Sequence, residues 1–515
     1  MSSPVKSPAQ IHYANALKSL KTGNLIQAET LLAECIGEDE TFFSAWLQLG
    51  LVWTKMGRTS EAIDAFRMAS ALDEKNVDAL HNLGLALVKN GNDEEGLDFM
   101  SKACLLSDDT EMAITIGDMY NKLMDYKKSS FYFLKAYQKD KRNAPLIKKL
   151  AVALFLAGDT PRAVHLMAGL VLRFPNDAGY KTLYSELTNK WADEVFDADT
   201  KKVVELCLLE DNLRHRNIAP AWSAIFLTDP FFEPLRSFPN TPVEKRDTNA
   251  IATALKSPFL CLGLRRIIIA NAPSEHIFTS LRRHFLTDWK NHDSWQRGSL
   301  EFLSSMAVQC WYNDFIFFET PEEKTNLKEL LENLDKSLLS TTDKLPDKVS
   351  DNTAILLALA SCYQPLYETY KHEGIPKFSA ATTKIIAPLI EAQLENPRAE
   401  TAIIPTIKSF TEIEDLTSKA VQKMYENRPY PRWTSVNATK TSEALLNISN
   451  NIEILVAGCG TGQEPCLYAA TLPGAKITAI DLSRSSIAYG MRMAKKLGYL
   501  PRINFLHGDL MKVGE

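Results

Sequence analysis

The sequence predicts a multidomain protein: an α-helical repeat solenoid, an all-α middle domain, and the first half of an α/β doubly wound (Rossmann-like) domain. Small residues that recur about every 34 positions in the first third predict the solenoid. Apolar residues at helical spacing, interrupted by a proline-rich stretch, predict the middle domain. Near the C-terminus, an apolar run followed by three closely spaced glycines predicts a buried parallel strand and a tight turn.

Two ladders of small residues define the repeat array. Their spacing of 33 or 34 residues is the tetratricopeptide period, and we predict about five repeats within residues 9–178. Small residues allow the two helices of a pair to pack closely, and such arrays usually bind a peptide or partner protein. A rigid spacer or a dimer surface is the alternative. The first ladder is Gly50, Gly84, Gly117 and Ala151, and the second is Gly23, Gly57, Gly91, Met124 and Gly158.

The predicted middle domain covers residues 179–415. Trp311, Tyr312 and Asn313 lie in one of its helical segments, where they line either a pocket or, more commonly for such residues, the core. Its histidines never fall at the three-to-five-residue spacing of a ligand pair, so we expect no metal site. A helix and a proline-containing linker are predicted for residues 416–450, and the α/β domain for residues 451–515.

The glycine-rich loop follows a predicted strand at residues 452–457. Its order is G-x-G-x-G at Gly458, Gly460 and Gly462, without the Gly-Lys-Ser/Thr of a phosphate-binding P-loop and unlike the G-x-G-x-x-G of dinucleotide-binding folds. A second predicted strand, 476–480, ends at Asp481. A third, 503–506, leads into Gly508 and Asp509. The order predicts a βαβαβ unit with acidic residues at the carboxyl ends of its strands.

This segment resembles the first half of a class I S-adenosylmethionine-dependent methyltransferase. The resemblance implies S-adenosyl-L-methionine as cofactor, with the loop below its methionine part, the second-strand acid on the ribose hydroxyls and the third-strand acid at the adenine amino group. A carboxylate suits the ribose because it accepts two hydroxyl protons. Tight turns and helix caps also use such residues. The implied cofactor-binding residues are Gly458, Cys459, Gly460, Thr461, Gly462, Asp481, Leu482, Asp509 and Leu510.

A second motif precedes the loop, with two prolines that impose an extended segment. It resembles the Tyr-Glu-x-Asn-Pro-Tyr-Pro-Arg-Trp signature of a group of bacterial methyltransferases, some of which modify protein lysines. The chain departs from that signature at Arg428. The motif's side chains either form a lid or acceptor channel, or dock a linker through aromatic rings. These candidate residues are Tyr425, Tyr430, Arg432 and Trp433.

Composition narrows the class of protein. A net charge of -5 gives no overall attraction to nucleic acid, so no nucleic-acid partner is indicated. The N-terminal residues lack the apolar core of a signal peptide, and no stretch has membrane-span length, so we expect a cytoplasmic location. The eight cysteines fit neither a zinc cluster nor a disulfide framework, and we expect buried thiols.

We therefore expect an enzyme, a class I methyltransferase whose acceptor is a protein side chain, preferably lysine, recruited through the repeats. The competing hypothesis is a non-catalytic tetratricopeptide adaptor with a degenerate or cofactor-sensing methyltransferase-like domain. The sequence ends after the third strand, so we expect it to be an inactive fragment. The missing part of the sheet would carry acceptor recognition, and no catalytic residue can be assigned.

Overall fold

The computed structural model describes residues 7–107, 109–189, 198–295, 298–334, 338, 349–370, 374, 377–427, 429–436 and 452–512. The N-terminal residues 1–6, Arg428 and residues 437–451, on which some of the expectations above depend, lie outside these ranges. The chain divides into two compact units, residues 1–166 and 167–515. Among the described residues, none of the helices combines the length and apolarity that a membrane crossing requires.

Helix pairs joined by short turns make up the first unit. Within each pair the two helices pack against each other through small and apolar residues, and the pairs follow one another along the chain. The helices are α1 Pro8–Lys21, α2 Leu25–Glu38, α3 Phe43–Lys55, α4 Thr59–Leu72, α5 Val77–Lys89, α6 Asp93–Leu106, α7 Thr110–Lys122, α8 Tyr126–Lys139, α9 Ala144–Leu156 and α10 Thr160–Arg173, which crosses into the second unit.

The first ladder of small residues lies where the two helices of a pair are closest. A Cβ atom on Gly84 of α5 would lie 2.6 Å from the carbonyl oxygen of Gly96 on α6. A Cβ on Gly117 would lie 2.6 Å from the ring of Phe133 on the paired helix. Contacts of this length are sterically forbidden, so the spacing of the ladder reflects helix-to-helix packing.

Replacement of Gly84 by alanine is therefore expected to destabilise the first unit by about 1–3 kcal/mol, since the added methyl group meets backbone atoms that cannot rotate away. Gly37, within α2, provides the matched control because its Cβ would meet no atom within 4 Å. Gly37→Ala should stabilise by about 0.5–1 kcal/mol through helix propensity. Chemical denaturation followed by circular dichroism measures the free energy of unfolding of both variants. Equal changes in the two variants would contradict the assignment of Gly84 to a close helix contact.

The second ladder lies at the turns within the pairs and has a left-handed backbone. Gly23, Gly57, Gly91 and Gly158 have φ between +77° and +93°, and Met124 holds the same place with φ +60°. Glycine adopts this conformation freely, whereas an L-residue pays a steric cost. Met124 is 72% exposed, so its side chain contributes little packing in return.

Met124→Gly is expected to raise the stability of the first unit by about 0.5–1 kcal/mol, because relief of the left-handed strain exceeds the added entropy of the unfolded chain. Its neighbour Leu123 has an ordinary φ of -80° and is also exposed. Leu123→Gly should therefore destabilise. A loss of stability in the Met124 variant, measured by thermal unfolding, would show that the side chain contributes more than the strain costs.

Helices dominate the second unit up to residue 427. Its proline-rich stretch folds as short α- and 3-10 helices, and a π-helical segment, Glu391–Glu395, connects the helices Ala380–Ile390 and Asn396–Ile403. The helices are α11 Ala178–Thr188, α12 Ala198–Leu208, α13 Ala219–Thr228, α14 Glu233–Arg236, α15 Thr248–Leu255, α16 Pro258–Arg266, α17 Ala272–Thr287, α18 Gly298–Tyr312, α19 Pro321–Leu334, α20 Asp351–Ala360, α21 Leu366–Thr369, α22 Ala380–Ile390, α23 Asn396–Ile403 and α24 Leu416–Asn427.

A small parallel sheet follows within the second unit. Its strands are β1 Lys408–Ser409, β2 Glu453–Ala457, β3 Lys476–Asp481 and β4 Ile503–His507, in the order β1-β4-β3-β2. Helix α25, Gln463–Thr471, connects β2 to β3, and α26, Arg484–Lys496, connects β3 to β4. Ser483 caps α26, and Gly498 follows it with φ +78°.

The expectation of an all-α region through residue 415 was wrong at β1. Lys408 and Ser409 pair with Leu506 and His507 of β4, and the Phe410 N–H donates to the His507 carbonyl at 2.7 Å. Two residues are too few to show the alternation that marks a strand in sequence. Their conformation is set by the hydrogen-bonding edge that β4 offers.

Candidate functional site

The glycine-rich loop turns sharply at the carboxyl end of β2. Gly458, Gly460 and Gly462 all have positive φ, at +71°, +51° and +77°. The N–H groups of Gly458 and Cys459 both donate to the Ile480 carbonyl of β3, at 2.9 and 3.0 Å. These bonds hold the loop against the neighbouring strand.

The three glycines meet different surroundings. A Cβ on Gly462 would lie 2.8 Å from the Gly490 Cα on α26, so this glycine permits a close approach of backbones. A Cβ on Gly460 would meet no atom within 4 Å, and one on Gly458 only the Leu510 side chain at 3.8 Å. Gly462 therefore serves the packing of α26, whereas Gly460 borders space that the described residues leave open.

Asp481 lies beside the loop at the end of β3. Its Oδ2 accepts the Gly460 N–H at 2.7 Å, and its Oδ1 accepts the Ser483 N–H at 2.9 Å. Burial raises the pKa of Asp481, and the backbone hydrogen bonds oppose that rise. Each carboxylate oxygen has a further lone pair, so the group retains capacity for two hydroxyl donors. Leu482, the next residue, is partly exposed.

Asp509 follows β4 and is 2% exposed. Its Oδ1 accepts the Met511 N–H at 3.0 Å, and its own N–H donates to the Thr411 hydroxyl at 2.8 Å. Its neighbour Leu510 approaches Gly458, as the 3.8 Å separation above shows. The predicted cofactor residues thus come together at the carboxyl edge of three adjacent parallel strands, where ligands bind in open α/β sheets.

The proline-containing motif docks directly on this loop. The Trp433 indole N–H donates to the Thr461 carbonyl at 2.9 Å, and the Thr461 hydroxyl donates to the Pro431 carbonyl at 2.7 Å. The Tyr489 hydroxyl of α26 donates to the Trp433 carbonyl at 2.5 Å. Trp433 is 6% exposed, so it is a packed anchor for the loop.

Arg432, the residue before Trp433, connects the motif to helix α18 instead of to the loop. Its guanidinium donates to the Trp311 carbonyl at 2.8 Å and to Asp314 Oδ1 at 3.3 Å, and it stacks 3.8 Å from the centre of the Trp311 ring. Tyr425 is half-buried and Tyr430 is 53% exposed. A role for these four side chains as lid or acceptor channel stays a prediction, and Tyr430 is the one most open to an approaching molecule.

Sequence inspection missed Glu426, which lies between two residues of the motif. Its carboxylate accepts the N–H groups of Arg484 and Ser485 at 2.8 and 2.9 Å, and so caps the N-terminus of α26. Its charge also contributes to the raised pKa of Asp481. The only signal was an acid within the motif, and the helix that it caps begins 58 residues later.

The two cysteines in and beside the loop, Cys459 and Cys466, carry no sign of reactivity. All eight cysteines of the chain are buried and free. Burial raises the pKa of Cys459, within the loop, and raises the pKa of Cys466 to about 12. Both remain protonated thiols at neutral pH and act as small apolar side chains.

Comparison with known proteins identifies the repeats. A family model described as TPR repeat matches residues 50–91, so the chain contains tetratricopeptide repeats. An uncharacterized protein of Synechococcus sp. is 28% identical over 120 residues. The match covers 21% of this chain and spans 29% of that relative's length.

Solved tetratricopeptide structures also match the chain. A repeat protein from Parabacteroides merdae is 12% identical, with a TM-score of 0.29, covering 62% of this chain and 98% of that one. YrrB, described as a TPR protein with an unusual peptide-binding site, is 19% identical, with a TM-score of 0.28. That match covers 32% of this chain and 86% of YrrB.

Proposed function

We propose that this protein binds a polypeptide through its tetratricopeptide repeats and acts as an adaptor. The supporting observation is a row of side chains on the first helices of successive pairs, which we call the first-helix row. Its members lie two positions before and one position after each glycine of the first ladder, Gly50, Gly84 and Gly117, and all are at least partly exposed. They are Gln48, Leu51, Asn82, Leu85, Thr115 and Asp118.

The first-helix row mixes apolar and polar groups in the way that a peptide-binding surface requires. Leu51 and Leu85 occupy equivalent positions on α3 and α5 and offer apolar contact, whereas Asn82 offers amide hydrogen bonds. Asp118, at the same position on α7, pairs with Lys149 of α9 at 2.7 Å. A polypeptide lying across these helices would meet apolar and hydrogen-bonding groups in turn.

Site-specific photo-crosslinking tests this surface. A crosslinking residue in place of Asn82 should capture a partner protein, whereas one in place of Lys102, exposed on the second helix α6, should not. An excess of unmodified protein should compete with the capture. Equal capture at the two positions, or capture that does not respond to competition, would show that the first-helix row is not the binding surface.

A second function, S-adenosylmethionine-dependent methyl transfer, is favoured by the glycine-rich loop. The open space at Gly460 and the remaining acceptor capacity of Asp481 fit the cofactor. Gly458 and Gly460 would lie against its methionine part, Asp481 would accept the ribose hydroxyls, and Asp509 would lie at the adenine. When bound, the cofactor supplies an activated methyl group on a sulfonium.

The chain's own contribution to such a reaction would be alignment and exclusion of water. Trp433 and Tyr489 hold the loop in place, and Glu426 fixes the start of the helix that follows Asp481. An acceptor with a neutral nitrogen would take the methyl group by direct displacement. The resemblance to protein methylators favours a lysine, and the repeats provide a means to recruit the protein that carries it.

Transfer of labelled methyl from S-adenosylmethionine separates the two functions. If both operate, a protein captured at Asn82 should incorporate label, and its lysine-to-arginine variants should not. Capture without incorporation, while cofactor binding is retained, would favour an adaptor that senses the cofactor. Incorporation that persists after the captured lysines are replaced would contradict the lysine assignment.

A further inference from the structure

A cavity of about 160 Å³ lies within the second unit. Three segments contribute most of its lining: residues 214–216 before α13, residues 266–268 at the end of α16, and residues 431–435 of the proline-containing motif. Among the described residues that line it, the charged ones are all arginines, although the whole chain carries a net charge of -5. We call it the arginine cavity, and its charged lining is Arg214, Arg216, Arg266 and Arg432.

Two of these arginines already have carboxylate partners. Arg266 pairs with Asp211 at 2.6 Å, and Arg432 pairs with Asp314 at 3.3 Å. Within the described part of the chain, Arg214 and Arg216 have no such partner. His215, between them, does not add charge, because burial and the Arg266 charge lower its pKa to about 4.

Arg214 is in an unfavourable state without a ligand. Its Nε is buried and has no hydrogen-bond partner among the described residues. Burial, and then the charge of Arg216, lower the pKa of Arg214. A buried donor without an acceptor is costly, and a guanidinium has the fork geometry that matches an oxyanion. An anion between Arg214 and Arg216 would relieve both the unpaired donor and the repulsion.

A second cavity, of about 290 Å³, adjoins the first and shares Arg266, Tyr312 and Trp433 with it. Trp311, Tyr312 and Tyr489 supply aromatic surface there. The sequence left open whether Trp311 and Tyr312 belong to a pocket or to the core, and they line this space although Trp311 is only 7% exposed. The space offers aromatic surface, beside charged side chains that include Arg265 and Arg492, to the organic part of a ligand whose anionic end lies in the arginine cavity.

We propose that the arginine cavity binds a phosphate group, held by Arg214 and Arg216. A phosphate monoester carries close to two negative charges at neutral pH, which matches the two guanidinium groups that have no carboxylate partner among the described residues. The source is either free phosphate or a small organic monoester whose remainder occupies the adjoining cavity. The site contains none of the residues assigned to the cofactor, although Arg432 and Trp433, candidates for the lid or acceptor channel, line the cavity.

Calorimetric titration of the full chain with inorganic phosphate, and then with phenyl phosphate, tests this site. Ionic strength is held constant with chloride, and thermal unfolding is followed in the same buffers. The variants are Arg214→Gln and the exposed Arg216→Gln. Lys202→Gln, on α12 of the same unit, removes one equally positive charge from a 60% exposed side chain and is the control.

We expect saturable binding of phosphate at one site, a dissociation constant raised at least about tenfold by either arginine substitution, and an unchanged value for the lysine variant. Without phosphate, Arg214→Gln should unfold at the same or a higher temperature, because it removes a buried Nε–H donor that has no partner among the described residues. If Arg214→Gln fails to fold, Arg216→Gln decides the question.

Tighter binding of phenyl phosphate than of inorganic phosphate would identify an organic monoester as the ligand. Equal affinity for the two would identify free phosphate as the ligand. Phosphate that binds no better than chloride, or equally well to the wild type and Arg216→Gln, would overturn the proposal.

Discussion

Glu323→Ala is expected to lower the free energy of unfolding of the second unit by about 3–5 kcal/mol, since it leaves a buried arginine without its counter-charge. Glu323 is 1% exposed, and Arg282 is fully buried 3.8 Å away. The carboxylate also accepts hydrogen bonds from the Tyr363 hydroxyl at 2.8 Å and from the Arg283 Nε at 3.0 Å. Removal of the carboxylate leaves the buried Arg282 guanidinium and Tyr363 hydroxyl without this partner, whereas the Arg283 side chain, 38% exposed, can turn to water.

The same group predicts a pH dependence. Burial alone would raise the pKa of Glu323, but the hydrogen bonds from the Thr320 N–H, Tyr363 and Arg283 hold it below its ordinary value of 4.5. A depressed pKa in the folded state means that the stabilisation is complete above pH 4.5 and is lost as the pH falls through the folded-state value. The difference in stability between the wild type and Glu323→Gln should therefore shrink below that pH.

Glu322, the adjacent exposed residue on α19, is the control. Glu322→Ala should change the stability by less than about 0.5–1 kcal/mol, because it loses only a surface charge near a helix N-terminus. Denaturant titrations at several pH values measure all three variants. Similar effects of the two alanine substitutions at pH 7 would contradict the structural importance of the buried cluster.

The second large effect should separate two glycines of the same loop. Gly462→Ala is expected to cost about 2–4 kcal/mol of stability, because its Cβ would meet the Gly490 Cα at 2.8 Å and its φ is +77°. Gly460→Ala should cost only the left-handed strain of about 1–2 kcal/mol, because its Cβ points into open space. If that space holds the cofactor, Gly460→Ala should nevertheless abolish S-adenosylmethionine binding.

Gly498 provides the control for backbone strain. Its φ is +78°, its Cβ would meet no atom within 4 Å, and it follows α26 outside the candidate site. Gly498→Ala should lose stability as Gly460→Ala does, yet keep cofactor affinity. Thermal unfolding and calorimetry on the three variants give both quantities. Unchanged binding by a folded Gly460→Ala protein would show that no ligand occupies the space beside that residue.

The helix pairs and their turns were predictable from the sequence because the same physical constraint acts at the same position of each repeat. The ladder through Gly50 and Gly84 marks close helix packing, and the ladder through Gly23 and Gly57 marks left-handed turns. Met124 fits the second ladder by position alone, since its residue type does not favour the conformation. The predicted strands were also confirmed to within one residue at each end.

Contacts between distant segments were not predictable. The cap that Glu426 places on α26, the docking of Trp433 on Thr461 and the anchor of Arg432 at Trp311 all join residues that no local pattern relates. The arginine cavity shows the same limitation, because Arg214 and Arg266 come together only after the helices of the second unit have packed. Local sequence identifies turns and strands, whereas the partners of a charged side chain depend on the fold.

Titration of S-adenosylmethionine into the full chain, alongside Asp481→Ala, tests most directly whether the loop at the carboxyl edge of the sheet is a cofactor site. Exposed Glu453, at the opposite end of β2, is the matched acidic control. We expect saturable binding that Asp481→Ala weakens by about 100-fold or more, since two hydrogen bonds to a charged acceptor are lost, while Glu453→Ala binds as the wild type does. Binding of equal strength by the wild type and Asp481→Ala, or no binding by the wild type, would contradict the cofactor assignment.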